Sequence, residues 1–134
     1  MAAERLPWVP AIVFAATMVP AGLLVVWLAR RLTRGDIGRN RLLGLRTNAT
    51  MASDAAWRAG QEAFGPWGVA AGLGPAVVGL GLLLRPPESI ALPTLMVSFA
   101  WLVGGVGIGA FLGDLAARDT ADPVTGRPEH HGDD

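Results

Sequence analysis

Residues 64–112 read FGPWGVAAGLGPAVVGLGLLLRPPESIALPTLMVSFAWLVGGVGIGAFL. Two charge-free runs, Phe64–Leu84 and Ile90–Leu112, flank the short connection Arg85-Pro86-Pro87-Glu88-Ser89. Each run is about 20 residues long, enough for a helix to cross a hydrocarbon core of about 30 Å. The connection is too short for anything but an antiparallel hairpin. Upstream, Pro7–Leu28 is a third run of the same kind. A helix on the surface of a soluble domain needs a polar face, and none of these has one. The sequence therefore predicts an all-α membrane protein with three transmembrane helices.

Composition agrees. The chain has 134 residues, 51% hydrophobic and 16% charged, where a soluble domain carries about a quarter charged residues. The charges are clustered, so residues 1–113 read as one three-span domain with no separate soluble module. Cysteine is absent, which excludes disulfides, thiol catalysis and thiolate metal sites. The net charge of zero gives no electrostatic footprint for nucleic acid, and no nucleic-acid partner is expected. The first run exceeds the roughly 7–15 apolar residues of a signal peptide. It ends at Arg30-Arg31, not at a small-residue cleavage site, so it is expected to be a retained span.

Arginine placement orients the spans. The segment 29–63 holds Arg30, Arg31, Arg34, Arg39, Arg41, Arg46 and Arg58, and Arg118 and Arg127 follow the third span. Only Arg5 and Arg85 lie on the other side. The positive-inside rule puts the long loop and the C-terminus in the cytoplasm and the N-terminus outside. Arg30, Arg31, Arg34, Arg39 and Arg41 form a juxtamembrane basic patch suited to anionic lipid headgroups. The tail 114–134 is acidic, with Pro123, Gly126 and Pro128, and reads as disordered beyond about Arg118. His130 and His131 there lack the fixed geometry of a metal site.

Small residues predict how the spans pack. Gly105, Gly109 and Gly113 recur every four residues on the third span, and Gly68, Gly72 and Ala76 offer a matching stripe on the second. Such stripes let backbones approach closely where lipid removes the hydrophobic drive. The expected contact is second span on third, with a homodimer through the Gly105 face as the alternative. Trp101 is expected to pack on a neighbouring helix, and Pro20 and Pro75 to kink theirs. The spans carry no Asp, Glu, Lys, Arg or His. Ion pathways and proton relays generally use such groups, which argues against a pump or transporter.

Function is sought in the loop, where residues 42–57 read LLGLRTNATMASDAAW. Ser53 followed by Asp54 is a helix start: the hydroxyl caps free N–H groups and the carboxylate favours the positive end of the dipole. Asp54, Arg58 and Glu62 stand at successive i,i+4 positions as a polar ridge. Trp57 and Phe64 share another face, with Gly60 and Gln61 between them. These residues predict a short interfacial helix whose Trp57 dips into the headgroups, turning at Gly65-Pro66 into the second span. Before it, Gly44 permits an unusual backbone, Arg46 offers a planar fork, and Thr47, Asn48 and Thr50 bond local backbone. No nucleophile stands beside a base. No catalytic residue, cofactor or metal ligand is expected, and the chain is read as a non-enzyme.

Gly44-Leu45-Arg46-Thr47, then Thr50, Ser53 and Ala56-Trp57-Arg58, resemble the signature of the SdpI family of bacterial membrane proteins. There a Gly-hydrophobic-Arg-Thr element precedes a Thr, a Ser and a Trp in a loop between spans. This chain departs at Gly60-Gln61-Glu62, where the family carries Asn or His followed by Arg. The resemblance implies an immunity or signalling protein of the bacterial plasma membrane. The founding member protects its producer against a secreted membrane-damaging peptide and holds a transcriptional repressor at the membrane. By that resemblance Gly44, Arg46, Thr47, Thr50, Ser53, Trp57 and Arg58 are the candidate partner-binding residues, with a peptide or protein partner or a homo-oligomer expected. The alternative is an accessory subunit of a larger membrane complex.

Overall fold

The computed structural model describes residues 4–121. Three helices make up the chain: α1 (Trp8–Thr33), α2 (Asp54–Leu82) and α3 (Glu88–Ala121). Each is long and apolar enough to cross a membrane, and the described residues contain no strand, only an isolated bridge between Arg5 and Pro87. The interior inverts that of a soluble protein. Its buried apolar residues are mostly alanines, while Ile12, Leu24, Val77, Met96 and Phe99 point outward. Large side chains on the outside and small ones between helices suit a lipid solvent.

The central helix is α2, and α1 and α3 both pack on it without a close backbone approach to each other. Two stripes of small residues explain this. Gly65, Gly68, Gly72, Ala76 and Gly79 face α1. A Cβ at Gly72 would lie 2.6 Å from the Gly22 carbonyl oxygen, and one at Gly68 would lie 2.9 Å from the Ala29 Cβ. One residue out of phase, Gly60, Phe64, Trp67, Ala71 and Gly74 face α3, meeting Gly113, Gly109, Gly105 and Trp101. A one-residue offset rotates the second stripe by about 100° around α2. The Gly68–Gly72–Ala76 stripe thus serves α1, not α3 as its match in spacing suggested. The Gly105 face meets Ala71 within the chain, as expected of the second span on the third.

The notch left between α1 and α3 is closed at both ends. At one end Leu6, Ala11, Leu82 and Ala91 form a buried cluster with Phe14, Val78 and Leu95. Leu6 N–H bonds the Pro86 carbonyl (3.0 Å), Glu88 N–H bonds Glu4 (3.0 Å), and the Arg85 side chain donates to Leu6 O (2.9 Å) while its guanidinium lies 4.7 Å from the Trp8 ring centroid. At the other end the notch holds the α1–α2 loop.

Two further expectations are corrected. The interfacial helix is not a separate element: its residues are the first turns of α2, which runs through Gly65-Pro66 unbroken. At Gly65 the missing Cβ relieves the clash a proline imposes on its predecessor, and Thr33 packs into the space. The helix also exceeds the roughly 20 residues a bilayer core requires, so its polar start projects beyond the apolar run. α3 likewise continues to Ala121, past the expected boundary at Gly113; the remaining tail, with His130 and His131, lies outside the described residues. Of the polar residues at depth, Thr17 and Thr94 donate to their own i−4 carbonyls, both at 2.7 Å. Trp101 does pack on its neighbour, against Gly74, and donates to Ala70 O at 2.9 Å.

These contacts separate glycines that look alike in sequence. A methyl at Gly72 meets backbone, whereas one at Gly107 meets nothing within 4 Å. Gly72→Ala is expected to destabilise the purified protein by about 1–3 kcal/mol, read as a lowered Tm in detergent. Gly107→Ala should leave Tm unchanged or raise it slightly through helix propensity. Equal effects at both sites would contradict this packing.

Candidate functional site

The segment after α1 begins with a sharp stop. Gly35 N–H bonds Leu32 O (3.1 Å) and Asp36 N–H bonds Arg31 O (3.2 Å), with Gly35 at φ +77°. This is the doubly bonded glycine terminus that closes helices efficiently. Asn40 then builds a turn: its carbonyl oxygen accepts from the N–H groups of Leu42 and Leu43 (both 2.8 Å) and its amide donates to Gly38 O (2.8 Å). Leu42, 88% exposed, stands at the tip.

From Gly44 the chain turns inward. Gly44 has φ +94°, and a Cβ there would lie 3.0 Å from each of Leu32, Trp57 and Gln61. Only glycine combines that backbone with that space. Leu45 follows and is gripped by the Gln61 side chain. Its N–H donates to Gln61 Oε1 (3.1 Å) and its carbonyl accepts from Gln61 Nε2 (2.9 Å). One carboxamide thus plays the part of a neighbouring strand, exchanging both bonds with a single residue. Thr50 completes the knot. Its hydroxyl lies 2.9 Å from Leu45 O and 3.1 Å from Thr47 O as donor, and accepts from Thr47 N–H (2.9 Å). In return Thr50 N–H donates to Thr47 Oγ1 (3.2 Å). Both Thr50 and Gln61 are fully buried.

This knot sits against the Gly60–Gly113 contact between α2 and α3. The Leu45 side chain packs on Gly113, whose own Cβ would lie 2.7 Å from Gly60 O. Thr50 Cγ2 fills the space at Gly60, 2.6 Å from where a Cβ would stand. Two residues beyond the apolar run of α3, Asp114 faces Thr47. The Thr47 hydroxyl and, against some desolvation, the Arg118 guanidinium (2.7 Å) hold the Asp114 carboxyl below its ordinary value. The loop therefore touches all three helices, through Leu32, Gln61 and Gly113.

The start of α2 is fixed separately. Ser53 Oγ accepts from Ala56 N–H (3.0 Å) as the helix cap. Arg39 Nε lies 3.1 Å from Asp54 and its Nη1 donates to Met51 O at 2.9 Å. Asp54 thus pairs with Arg39 and not with Arg58 of the expected ridge, because the second bond, to Met51, locks the Arg39 guanidinium beside it. Arg39 thereby fastens the loop to the start of α2. Trp57 is also reassigned. It is 4% exposed and its indole donates to Ile37 O (3.2 Å), so it lies under the loop and does not dip into headgroups.

The candidate residues divide accordingly. Gly44, Thr47, Thr50, Ser53 and Trp57 build the knot and the helix start. Arg46 and Arg58 are exposed and have no ion-pair partner among the described residues. Sequence reasoning noted Gly60 and Gln61 only as spacers between Trp57 and Phe64 and as a departure from the family, and counted Asp114 only in the acidic tail. The signal was available: Trp57, Gly60, Gln61 and Phe64 have i, i+3, i+4, i+7 spacing, which puts an uncharged polar residue on a buried face.

Gln61→Leu keeps side-chain size but strands the Leu45 N–H and carbonyl, which costs about 1–3 kcal/mol. Helicity by circular dichroism should hold, while tryptic cleavage at Arg41 and Arg46 accelerates on the order of tenfold. Wild-type cleavage rates in Gln61→Leu would show that the clamp does not hold the loop.

A profile of the SdpI/YfhL protein family matches residues 36–113. That stretch begins at the loop and ends at Gly113, and so contains the Leu45–Gln61 clamp and the α2–α3 crossing that supports it. No curated protein and no solved structure matches the chain. With more than half its length matched, and the matched residues folded as one unit, the chain belongs to the SdpI/YfhL protein family.

Proposed function

We propose that the chain is a bacterial plasma-membrane protein that binds a peptide or protein partner at the cytoplasmic face, in the manner of an immunity or signalling protein, without catalysis. One observation carries this reading: the backbone on both sides of Arg46 is locked, while the Arg46 side chain is exposed, with no ion-pair partner among the described residues. A rigid loop presenting a free guanidinium is a prepaid recognition element. The ordering entropy is met on folding, and the planar fork suits a carboxylate or phosphate. Leu42 and Arg41, both exposed, add an apolar and a second cationic contact beside it. The loop's arginines, set against only Arg5 and Arg85 on the far side, support the cytoplasmic orientation.

A second reading, an accessory subunit of a larger complex, is favoured by Gly104 and Gly107. Both lie on the outward face of α3 with nothing within 4 Å of a Cβ position, leaving room for a further helix to approach.

The two are separated by one pair of variants in a deletion strain challenged with membrane-active peptide toxins. Arg46→Ala should accumulate in the membrane at wild-type level, resist trypsin at the remaining loop sites, and lose protection. Thr50→Val, which removes the knot, should lose protection and trypsin resistance alike. Full protection with Arg46→Ala would overturn the recognition reading. A stable stoichiometric membrane partner, recovered with Arg46→Ala as well as wild type, would favour the subunit.

A further inference from the structure

The arginines of the basic patch are not equivalent. Arg39 is bound to Asp54 and Met51, and Arg41 sits on the exposed turn. Arg30, Arg31 and Arg34, by contrast, converge on one cleft of about 510 Å³ at the end of α1. Its floor is apolar: Leu23, Val26 and Trp27. Residues 23, 26, 27, 30, 31 and 34 follow helical spacing and so form one continuous face, apolar below and cationic above. The apolar run of α1 ends at Leu28, which places the change from apolar to cationic at headgroup depth.

The cleft is partly preset. The Arg31 guanidinium lies 5.4 Å from the Trp27 ring centroid and 3.6 Å from Asp36. Asp36 is fixed by the helix terminus through its own N–H. Arg30 and Arg34 have no ion-pair partner among the described residues, so three guanidinium groups face one carboxylate and the cleft is net cationic. An aromatic and aliphatic wall running into the membrane, capped by two free guanidinium forks, fits a molecule with an acyl chain and a phosphodiester.

We infer that this cleft is a binding site for one anionic phospholipid, its phosphate held by Arg30 and Arg34 and its acyl chain laid along Leu23, Val26 and Trp27. Arg31, oriented by Asp36 and Trp27, closes the site from the side. The site is distinct from the Arg46 surface and does not depend on the partner reading.

The test uses the full chain in nanodiscs of equal phosphatidylglycerol and phosphatidylcholine, with retained lipid counted by native mass spectrometry. Wild type should retain phosphatidylglycerol in preference, at one molecule per chain. The Arg30→Gln/Arg34→Gln double variant should lose that preference on the order of fivefold per arginine. Arg41→Gln/Arg46→Gln, with the same charge loss, should keep it. Equal loss in both doubles would reduce the site to a diffuse basic patch and overturn the proposal, as would proportional retention by wild type. Displacement by millimolar glycerol 3-phosphate alone would overturn it in favour of a soluble anion. Should the first double fail to fold, wild type still decides. Brominated phosphatidylglycerol should quench tryptophan fluorescence more than brominated phosphatidylcholine, and Trp27→Phe should remove the excess. Equal quenching by the two lipids would contradict the site.

Discussion

Burying the Gln61 carboxamide without partners would cost on the order of a few kcal/mol, and the backbone of Leu45 is what satisfies it. The requirement is mutual. Leu45 lies in irregular chain, where N–H and carbonyl have no helical partner, and they too are withdrawn from water. Neither side can be dry without the other. This reciprocal debt explains why the α1–α2 connection is a folded element, and why it sits at one particular height on α2.

The clamp works only because the helices below it cross on glycine. At Gly60 and Gly113 no side chains intervene, so the α2 and α3 backbones come together, and Leu45 and Thr50 fill the shallow depression left above them. A methyl at either position would lift the loop away from Gln61. The same device, extended along both stripes of α2, sets the fold: α1 and α3 are placed on adjacent faces by where side chains are missing. Packing and site are thus two consequences of one pattern of small residues, and the outward-facing Arg46 depends on both.

The three helices were legible from charge-free runs of the right length, because a bilayer leaves the backbone little other choice. The cap at Ser53 was legible from residue type alone. Which stripe meets which helix was not. Gly68–Gly72–Ala76 and Gly60–Phe64–Trp67–Ala71 differ by one position, and spacing carries no information about the partner. The break expected at Gly65-Pro66 failed because a glycine before proline eases the clash and because membrane helices tolerate proline in any case, as the unbroken Val19-Pro20 of α1 shows. Trp57 was misplaced because an amphipathic ring at a membrane boundary has two low-energy locations. The choice of burial rests on Ile37 supplying an acceptor twenty residues away, a tertiary fact. Gln61 was legible in principle from its spacing with Trp57, yet its partner in the loop was not.

The measurement closest to the centre of this account is amide hydrogen exchange of the wild-type protein in nanodiscs, resolved over residues 36–56. If the loop is a folded element, the amides of Leu45, Thr47, Thr50 and Met51, all hydrogen-bonded here, exchange slowly, at rates comparable to the capped Ala56 amide at the start of α2. The amides of Asn40 and Arg41, which have no hydrogen-bond acceptor among the described residues, exchange fast. Uniformly fast exchange from Arg41 to Ala52 would mean that the loop is open, that Gln61 does not hold it, and that Arg46 is not presented on a fixed backbone.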